Sequence, residues 1–236
     1  MRWLTNFLFS SIGQKIVMSL TGLFLISFIV VHLSGNLQLL IDDNGEQFNK
    51  YAKFMTTNPL IKFLSYGLYG GILLHAIQGL YLWATNRAAR GGQRYAKKVT
   101  RAVGTSSIAA SNMAWWGTLI LIFLVIHMGD FWFAMKFGDN LEMVNYEGYD
   151  EPVKNLFAKV ETTFQNPIFV IIYILGMAGL GAHLLHGFQS AFQTLGLNHP
   201  KYTPIIRGLG ALIAFGIPLL FAIIPIFMYL GIYPLG

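Results

Sequence analysis

Long apolar runs separated by short polar segments dominate the chain. A run crosses the hydrocarbon core of a bilayer, about 30 Å thick, when it supplies roughly 20 helical residues. Five runs reach this length, at about 15–40, 60–86, 113–136, 167–194 and 204–232. The pattern predicts an all-α integral membrane protein whose five transmembrane helices form a single membrane domain over residues 1–236.

The segment before the first run mixes a basic residue with bulky apolar ones. It predicts a short amphipathic helix over residues 1–12 on the inner membrane surface, with an apolar face formed by Trp3, Leu4, Phe7 and Leu8. The apolar stretch that follows is much longer than the apolar core of a signal peptide, and no small-residue cleavage site follows it. We therefore expect this stretch to stay in the protein as the first span.

The amino-acid composition limits the cofactors that the chain can bind. Hydrophobic residues make up 55% of the chain and charged residues 11%, whereas about 25% of residues are charged in soluble domains. Cysteine is absent, which excludes thiolate-held iron–sulfur clusters, a thiolate-ligated haem and covalent haem attachment through cysteine. Any cofactor must be held by histidine, methionine, carboxylate or backbone groups.

Basic residues mark one side of the membrane. If the N-terminus lies in the cytoplasm, the inner segments hold ten of the 16 Lys and Arg residues and none of the acidic ones. These ten are Arg2, Lys15, Arg87, Arg90, Arg94, Lys97, Lys98, Arg101, Lys201 and Arg207. Because Lys and Arg are enriched in cytoplasmic loops, we expect a multi-pass protein with a cytoplasmic N-terminus and an outer C-terminus. This distribution explains the net charge of +6 without a nucleic-acid partner.

Five of the six histidines lie inside the apolar runs, where an ionisable side chain is unfavourable and indicates function. His32 lies 17 residues, about 25 Å, beyond Lys15 and so in the outer half of the membrane. His127 lies nine residues before Lys136 and is also in the outer half. His75 and His183, on helices that run in the opposite direction, fall in the inner half. His199 lies in an inner loop and is expected to be solvated.

Two histidines at each of two levels favour two stacked b-type haems, each held by imidazoles from two facing helices. His75 and His183 both have glycine four residues before and after them, at Gly71, Gly79, Gly179 and Gly187. These glycines leave space for a flat macrocycle on the same helix face. The competing interpretation is that glycine only lets membrane helices pack closely and that each histidine forms an interhelical hydrogen bond.

His186 lies one turn beyond His183. The glycine pattern favours His183 as the axial ligand, so His186 is expected to bond a haem propionate or a nearby carbonyl group. A metal site formed by His183 and His186 together is the alternative. Carboxylate-bridged di-iron proteins need several glutamates in the bundle core, and the spans here contain essentially none.

The chain also resembles a known family, the cytochrome b membrane subunits of succinate dehydrogenases and fumarate reductases, in the single-chain, five-helix, di-haem form. The resemblance covers nearly the whole length. The segments that carry it are SSIGQKIVMSLTGLFLISFIVVHLSGN (10–36), FNKYAKFM (48–55), LLHAIQGL (73–80), LVIHMGDFW (124–132) and AHLLHGFQSAFQTLGL (182–197). No single segment is diagnostic, but four histidines in this order with FNKYAKFM between the first two form a fairly specific set.

The resemblance implies that His75 and His183 bind a proximal haem b on the cytoplasmic side and that His32 and His127 bind a distal one. Four helices would form the haem-binding bundle, with the fifth packed outside. It further implies a bacterial cytoplasmic membrane, and partner flavoprotein and iron–sulfur subunits that carry FAD, the iron–sulfur clusters and the dicarboxylate chemistry. This chain would pass electrons to a quinone, expected to be menaquinone, and has no catalytic residue of its own.

One position departs from the family pattern. Some fumarate-reducing relatives have a glutamate shortly before the fourth ligand that is thought to carry protons across the membrane. Here that stretch contains only Gly179, Leu180, Gly181 and Ala182. We therefore do not expect such a proton pathway.

Polar residues near the distal level are candidates for the quinone site. They are Asn36, Gln38, Asp42, Glu46 and Asp130. Asp130 shares a helix face with His127, and an acid at that depth is suited to deliver a proton to a reduced quinone. The competing interpretation is an interfacial aspartate that only caps or points to water.

Two other classes of membrane protein fit part of this pattern. Anchors of hydrogenases and formate dehydrogenases also place bis-histidine haems in a helix bundle, and only the family-like segments argue against them. A haem-free transporter uses intramembrane histidines as proton relays, but such proteins usually contain inverted repeats and broken helices. Here Pro218 and Pro225 interrupt only the fifth span, which carries no histidine.

Overall fold

The computed structural model describes residues 2–90, 112–138 and 140–235. Five of its helices are long and apolar enough to cross a membrane. They cover Ser11–Leu40, Pro59–Ala89, Met113–Phe137, Pro167–Thr194 and Thr203–Leu230. By length and composition they confirm the prediction of an α-helical protein with five membrane-spanning helices. The basic loop residues Arg94, Lys97, Lys98 and Arg101 lie outside the described residues.

The helices follow one another as α1 (Arg2–Phe9), α2 (Ser11–Asn36) with a 3-10 turn at Leu37–Leu40, α3 (Glu46–Thr57), α4 (Pro59–Arg90), α5 (Met113–His127) with a π-helical turn at Met128–Phe133, α6 (Ala134–Phe137), α7 (Leu156–Phe164), α8 (Pro167–Thr194) and α9 (Thr203–Leu230). A short antiparallel hairpin, β1 (Met143–Val144) and β2 (Val153–Lys154), precedes α7 and pairs Val144 with Val153.

Helix α1 is shorter than the predicted 1–12 because Ser10 separates it from α2. The Ser10 hydroxyl accepts a hydrogen bond from the Gly13 amide at 3.1 Å and caps the N-terminus of α2. Trp3 and Phe9 of α1 are 74% and 79% exposed. Exposed aromatic side chains on a short helix before the first span suit a membrane surface.

The spanning helices pack as neighbours in a defined order. Helix α2 contacts α4 and α8, and α5 contacts the same two helices. Helix α9 packs along α8 and also contacts α2. Each of α2, α4, α5 and α8, which carry the four paired histidines, therefore lies beside two others of the set.

Helix α9 continues through Pro218 and Pro225, so the predicted interruptions are wrong. Pro218 has no N–H to donate to the Ala214 carbonyl four residues earlier. That carbonyl lies against Gly181 of α8, where a Cβ would approach it to 2.9 Å. Neighbouring helices accommodate prolines within membrane helices in this way.

The loops at the C-terminal end of α2 fold into a compact layer, the outer cap, formed by the 3-10 turn, α3, the hairpin and α7. Asn49 is 0% exposed at its centre. Its amide donates to the Tyr146 hydroxyl at 2.8 Å and to Asn155 Oδ1 at 3.0 Å, and its oxygen accepts from the Phe157 amide at 2.9 Å. One buried side chain thus joins α3, the hairpin loop and α7.

The outer cap is also tied to the spans. Lys154 donates to the Met135 and Gly138 carbonyls at 2.9 and 3.0 Å, beyond the π-helical turn. The Leu235 amide donates to the Leu40 carbonyl at 3.1 Å. A buried apolar cluster, which includes Phe48, Phe157 and Tyr173, lies between the cap and α8 and α9. The membrane-facing side of the cap is therefore a packed layer.

Candidate functional site

Four histidines from four spanning helices form two facing pairs. His75 and His183, the inner pair, lie on the side of the N-terminus with ring centroids 6.1 Å apart and planes inclined by 72°. His32 and His127, the outer pair, have centroids 5.7 Å apart and an angle of 82°. Two imidazoles bound to one metal through bonds of about 2.0–2.1 Å have centroids about 6 Å apart. The structure brings together the same residues that the depth estimate matched.

The inner pair is oriented by a hydroxyl from a third helix. The Oγ1 atom of Thr21, on α2, lies 3.1 Å from Nδ1 of His75. The same hydroxyl donates to the Val17 carbonyl at 2.8 Å. Because a hydroxyl has one proton, Thr21 accepts from Nδ1–H of His75. This leaves Nε2 of His75 unprotonated, which is the form that binds a metal.

Aromatic rings surround the outer pair. Phe28 stacks on His32 with centroids 5.3 Å apart, and Phe221 of α9 lies 5.6 Å from the same ring. Phe123 stacks on His127 at 5.7 Å, and Phe131 lies at the same distance edge-on. Helix α9, the spanning helix that carries no histidine, therefore helps to enclose the outer pair in an apolar environment.

The π-helical turn begins at Met128, directly after His127, and includes Asp130. Single π-helical turns within α-helices occur frequently at functional sites. Tyr173 of α8 lies between the two residues, with its hydroxyl 3.4 Å from His127 Nδ1 and 3.4 Å from Asp130 Oδ2. Asp130 is thus linked to the outer pair, although not in the direct way that its spacing predicts.

The predicted glycine-lined space is present on one side of the inner pair only. A Cβ on Gly187 would meet nothing within 4 Å, and one on Gly79 only the Met18 methyl at 3.6 Å. On the other side, Gly179 accommodates Leu119, and Gly71 accommodates Phe24. The glycines nearer the inner surface therefore leave space, while the two further outside serve helix packing.

Several buried polar atoms in the described part of the chain lack hydrogen-bond partners, and three of them belong to α8 on either side of Gly187. Among the described residues, Trp116 Nε1, His183 Nδ1, His186 Nδ1 and Gln189 Oε1 are buried and have no hydrogen-bond partner. Unpaired buried polar groups are unfavourable by about 1–3 kcal/mol each. An open cleft of about 410 Å³ lies at the C-terminal end of α8 and is lined by Ile12, Lys15, Ser190, Gln193 and Thr194. A polar, anionic group entering from this side would find donors and a cation.

Among the described residues, none of the other quinone-site candidates is hydrogen-bonded to Asp130. Asn36 contacts His32 itself: its amide donates to the His32 carbonyl at 2.7 Å and lies 3.3 Å from Nδ1. Glu46 is in the outer cap and accepts from Lys50 at 2.6 Å, which raises the pKa of Lys50. In the part of the chain that the structure describes, neither Gln38 nor Glu46 has a hydrogen bond to the outer pair.

Haem and a free metal ion differ in the number of protein ligands that they need. No group of three or more His, Asp or Glu residues close enough to hold a metal ion occurs within residues 2–90, 112–138 and 140–235. A haem iron needs only two axial protein ligands, and each pair supplies two imidazoles from different helices. His75 and His127 also have the oxygen partner at Nδ1 that metal-binding histidines usually have.

Sequence reasoning missed Thr21 and Tyr173. Thr21 lies eleven residues before His32, and Tyr173 lies ten residues before His183. Three helical turns contain about 10.8 residues and rise about 16 Å. Each hydroxyl therefore lies on the histidine-bearing face of its helix, at the level of the other pair, and this spacing is a signal present in the sequence.

Comparison of the chain with models of protein families, with curated proteins and with solved structures finds no match.

Proposed function

We propose that this chain is the di-haem cytochrome b membrane anchor of a succinate:quinone oxidoreductase. The observation that carries the proposal is the presence of two facing histidine pairs, each built from two different spanning helices, at two depths. Thr21 and Tyr173 add oxygen partners at Nδ1 that suit axial ligands. When bound, haem b supplies reversible one-electron transfer.

The chain would hold its cofactors through residues at both levels. His75 and His183 would ligate the inner haem, and His32 and His127 the outer one. The unpaired Nδ1 of His186 would donate to a propionate of the inner haem near the cleft that contains Lys15. Tyr173, at the outer level, lies ten residues before His183 on α8, so the two levels are about 15 Å apart along the helix.

The surrounding helices would insulate these positions. Helices α2, α4, α5 and α8 would form the haem-binding bundle, with α9 outside and its Phe221 against His32. Apolar rings around the outer pair exclude water, and burial and second-shell hydrogen bonds tune haem potentials. The outer cap would cover the outer pair, and Asp130, beside that pair through Tyr173, is the best-placed candidate to exchange a proton with a quinone, proposed to be menaquinone.

The family-like segments support the choice of succinate:quinone oxidoreductase over other haem b anchors. The proposed partners are a flavoprotein and an iron–sulfur subunit that bind the cytoplasmic face of a bacterial membrane and carry FAD and the iron–sulfur clusters. The dicarboxylate chemistry would take place on those partners, because the functional residues described here are ligands and hydrogen-bonding groups within the membrane.

A reduced-minus-oxidised spectrum of the purified complex, with a pyridine haemochrome assay, tests the proposal. We expect two low-spin haems b per chain. His75→Ala and His32→Ala should each lower the haem content towards one, and His199→Ala, the matched control in an inner loop, should leave it at two. Absence of haem from the wild-type complex would reject the proposal and favour a haem-free transporter.

Succinate identifies the type of anchor. We expect succinate to reduce both haems in the intact complex. Reduction by hydrogen or formate, with no response to succinate, would instead assign the chain to one of the other anchor types.

A further inference from the structure

The Tyr173 hydroxyl occupies an unusual position for a membrane-buried tyrosine. The residue is 6% exposed and packs among Phe123, Phe131 and Phe164, whose ring centroids lie 5.1, 5.9 and 5.0 Å from its own. Its one polar atom lies 3.4 Å from both His127 Nδ1 and Asp130 Oδ2. Three aromatic neighbours therefore fix the ring in the orientation in which the hydroxyl reaches both groups.

Proton counting gives the chain of hydrogen bonds a direction. The tyrosine hydroxyl has one proton, which it donates to Asp130 Oδ2. At His127 it can then only accept, so the Nδ1 nitrogen of His127 carries the proton. The resulting order is His127 Nδ1–H to Tyr173 oxygen, and Tyr173 O–H to the Asp130 carboxylate. Nε2 of His127 is left with a free lone pair.

The π-helical turn contains the carboxylate end of this chain of hydrogen bonds. Asp130 follows His127 by three residues, and a regular α-helix places such residues on one face, roughly one turn apart. The turn over Met128–Phe133 widens the helix there, and Tyr173 from α8 contacts both residues. The hydroxyl therefore joins two side chains of α5 through a residue of the neighbouring helix.

We propose that Tyr173 is a positioning residue that transmits the charge of Asp130 to the outer axial ligand. The inference rests on the proposed function, because it concerns a haem held by His32 and His127. A hydrogen bond that ends on a carboxylate draws the Nδ1 proton away from the imidazole and makes the ligand more basic. A more basic ligand favours the oxidised iron, so Tyr173 and Asp130 together lower the reduction potential of the outer haem relative to the inner one.

A redox titration of the intact complex, followed at the haem absorption bands, tests this inference. The titration curve is expected to have two components, one for each haem. Replacement of His75 should leave only the outer haem, so the component that remains in that variant is assigned to it. In Tyr173→Phe we expect the reduced-to-oxidised ratio of the outer haem at a fixed potential to rise by up to about tenfold, equal to about 59 mV for a one-electron couple. The inner haem should be unchanged.

Tyr69→Phe is the matched control. Tyr69 also has a partly buried hydroxyl in this half of the membrane, but its partner is Trp132 Nε1 at 2.8 Å and not a histidine. We expect this variant to titrate like the wild type. An equal shift of the outer haem in Tyr69→Phe, or no shift in Tyr173→Phe, would overturn the inference.

A double-mutant cycle decides whether the charge acts through Tyr173. Asp130→Asn alone should raise the potential of the outer haem, and in the Tyr173→Phe background it should have no further effect, because coupled residues are not additive. If Asp130→Asn shifted the potential of the outer haem equally in both backgrounds, the charge of Asp130 would act directly through space. That result would reject the role of Tyr173. A wild-type complex without two haems would instead reject the proposed function, so the two failures are distinguishable.

Discussion

Replacement of Thr21 by valine tests the inner pair by removing a single hydroxyl. Valine has nearly the same shape as threonine, so the packing between α2 and α4 should be preserved. The hydroxyl lies 3.1 Å from His75 Nδ1, and its loss leaves a buried N–H unpaired, at a cost of about 1–3 kcal/mol. Loss of such a partner typically weakens metal binding by about 10–100-fold. We therefore expect the inner haem to be held at least tenfold less tightly.

The assay is transfer of haem from the purified complex to an excess of apomyoglobin, with the haem content followed over time. One of the two haems should leave faster in Thr21→Val, while the other keeps its wild-type rate. Thr118→Val is the matched control, because Thr118 donates to the Ala114 carbonyl at 2.8 Å just as Thr21 donates to Val17 at 2.8 Å. Equal release rates in the two variants would refute the assignment of Thr21 as a partner of an axial ligand.

Three further predictions concern the outer half. Asn49→Ala should lower the free energy of unfolding by about 3 kcal/mol. It removes three hydrogen bonds and leaves the buried backbone N–H of Phe157 unpaired. The control is Asn140→Ala, at an exposed position, and both variants are compared with the wild type by thermal unfolding. Equal decreases of the unfolding temperature in the two variants would contradict the prediction. Burial and a hydrogen bond to Glu161 raise the pKa of Tyr233 from 10.0 to about 12, so its stabilising effect is complete below pH 10 and is lost as the pH rises through 12. Unfolding at several pH values should show a smaller alkaline loss in Tyr233→Phe than in the wild type. Asp130→Asn should lower the quinone reductase rate of the complex while both haems are retained, and a full rate would exclude Asp130 from quinone chemistry.

The spans and the levels of the histidines could be predicted because both depend on length alone. A membrane helix is long, regular and continuous, so 1.5 Å per residue converts sequence position into depth. On this basis His32 matched His127 and His75 matched His183, and the structure places these rings 5.7 and 6.1 Å apart.

The departures from regularity could not be predicted in the same way. The π-helical turn after His127 depends on how α5 packs against α8, which spacing does not reveal. The segment between the third and fourth predicted spans folds into a hairpin and α7, neither of which the apolar pattern indicates. The role of Asn49 depends on three partners, two of them more than a hundred residues away in the chain. Tertiary contacts decide each of these features.

Helices α2 and α8 connect the two levels. Helix α2 carries His32 of the outer pair and Thr21 beside the inner one, whereas α8 carries His183 of the inner pair and Tyr173 beside the outer one. In each helix the hydroxyl and the histidine are about three turns apart, so both point to the same side. Rotation of either helix would misplace a histidine at one level and a hydrogen-bond partner at the other. Because α2 and α8 contact each other directly, the geometry of the two pairs is set jointly, and a packing defect between these helices should disturb both pairs and, under the proposed function, lower the content of both haems.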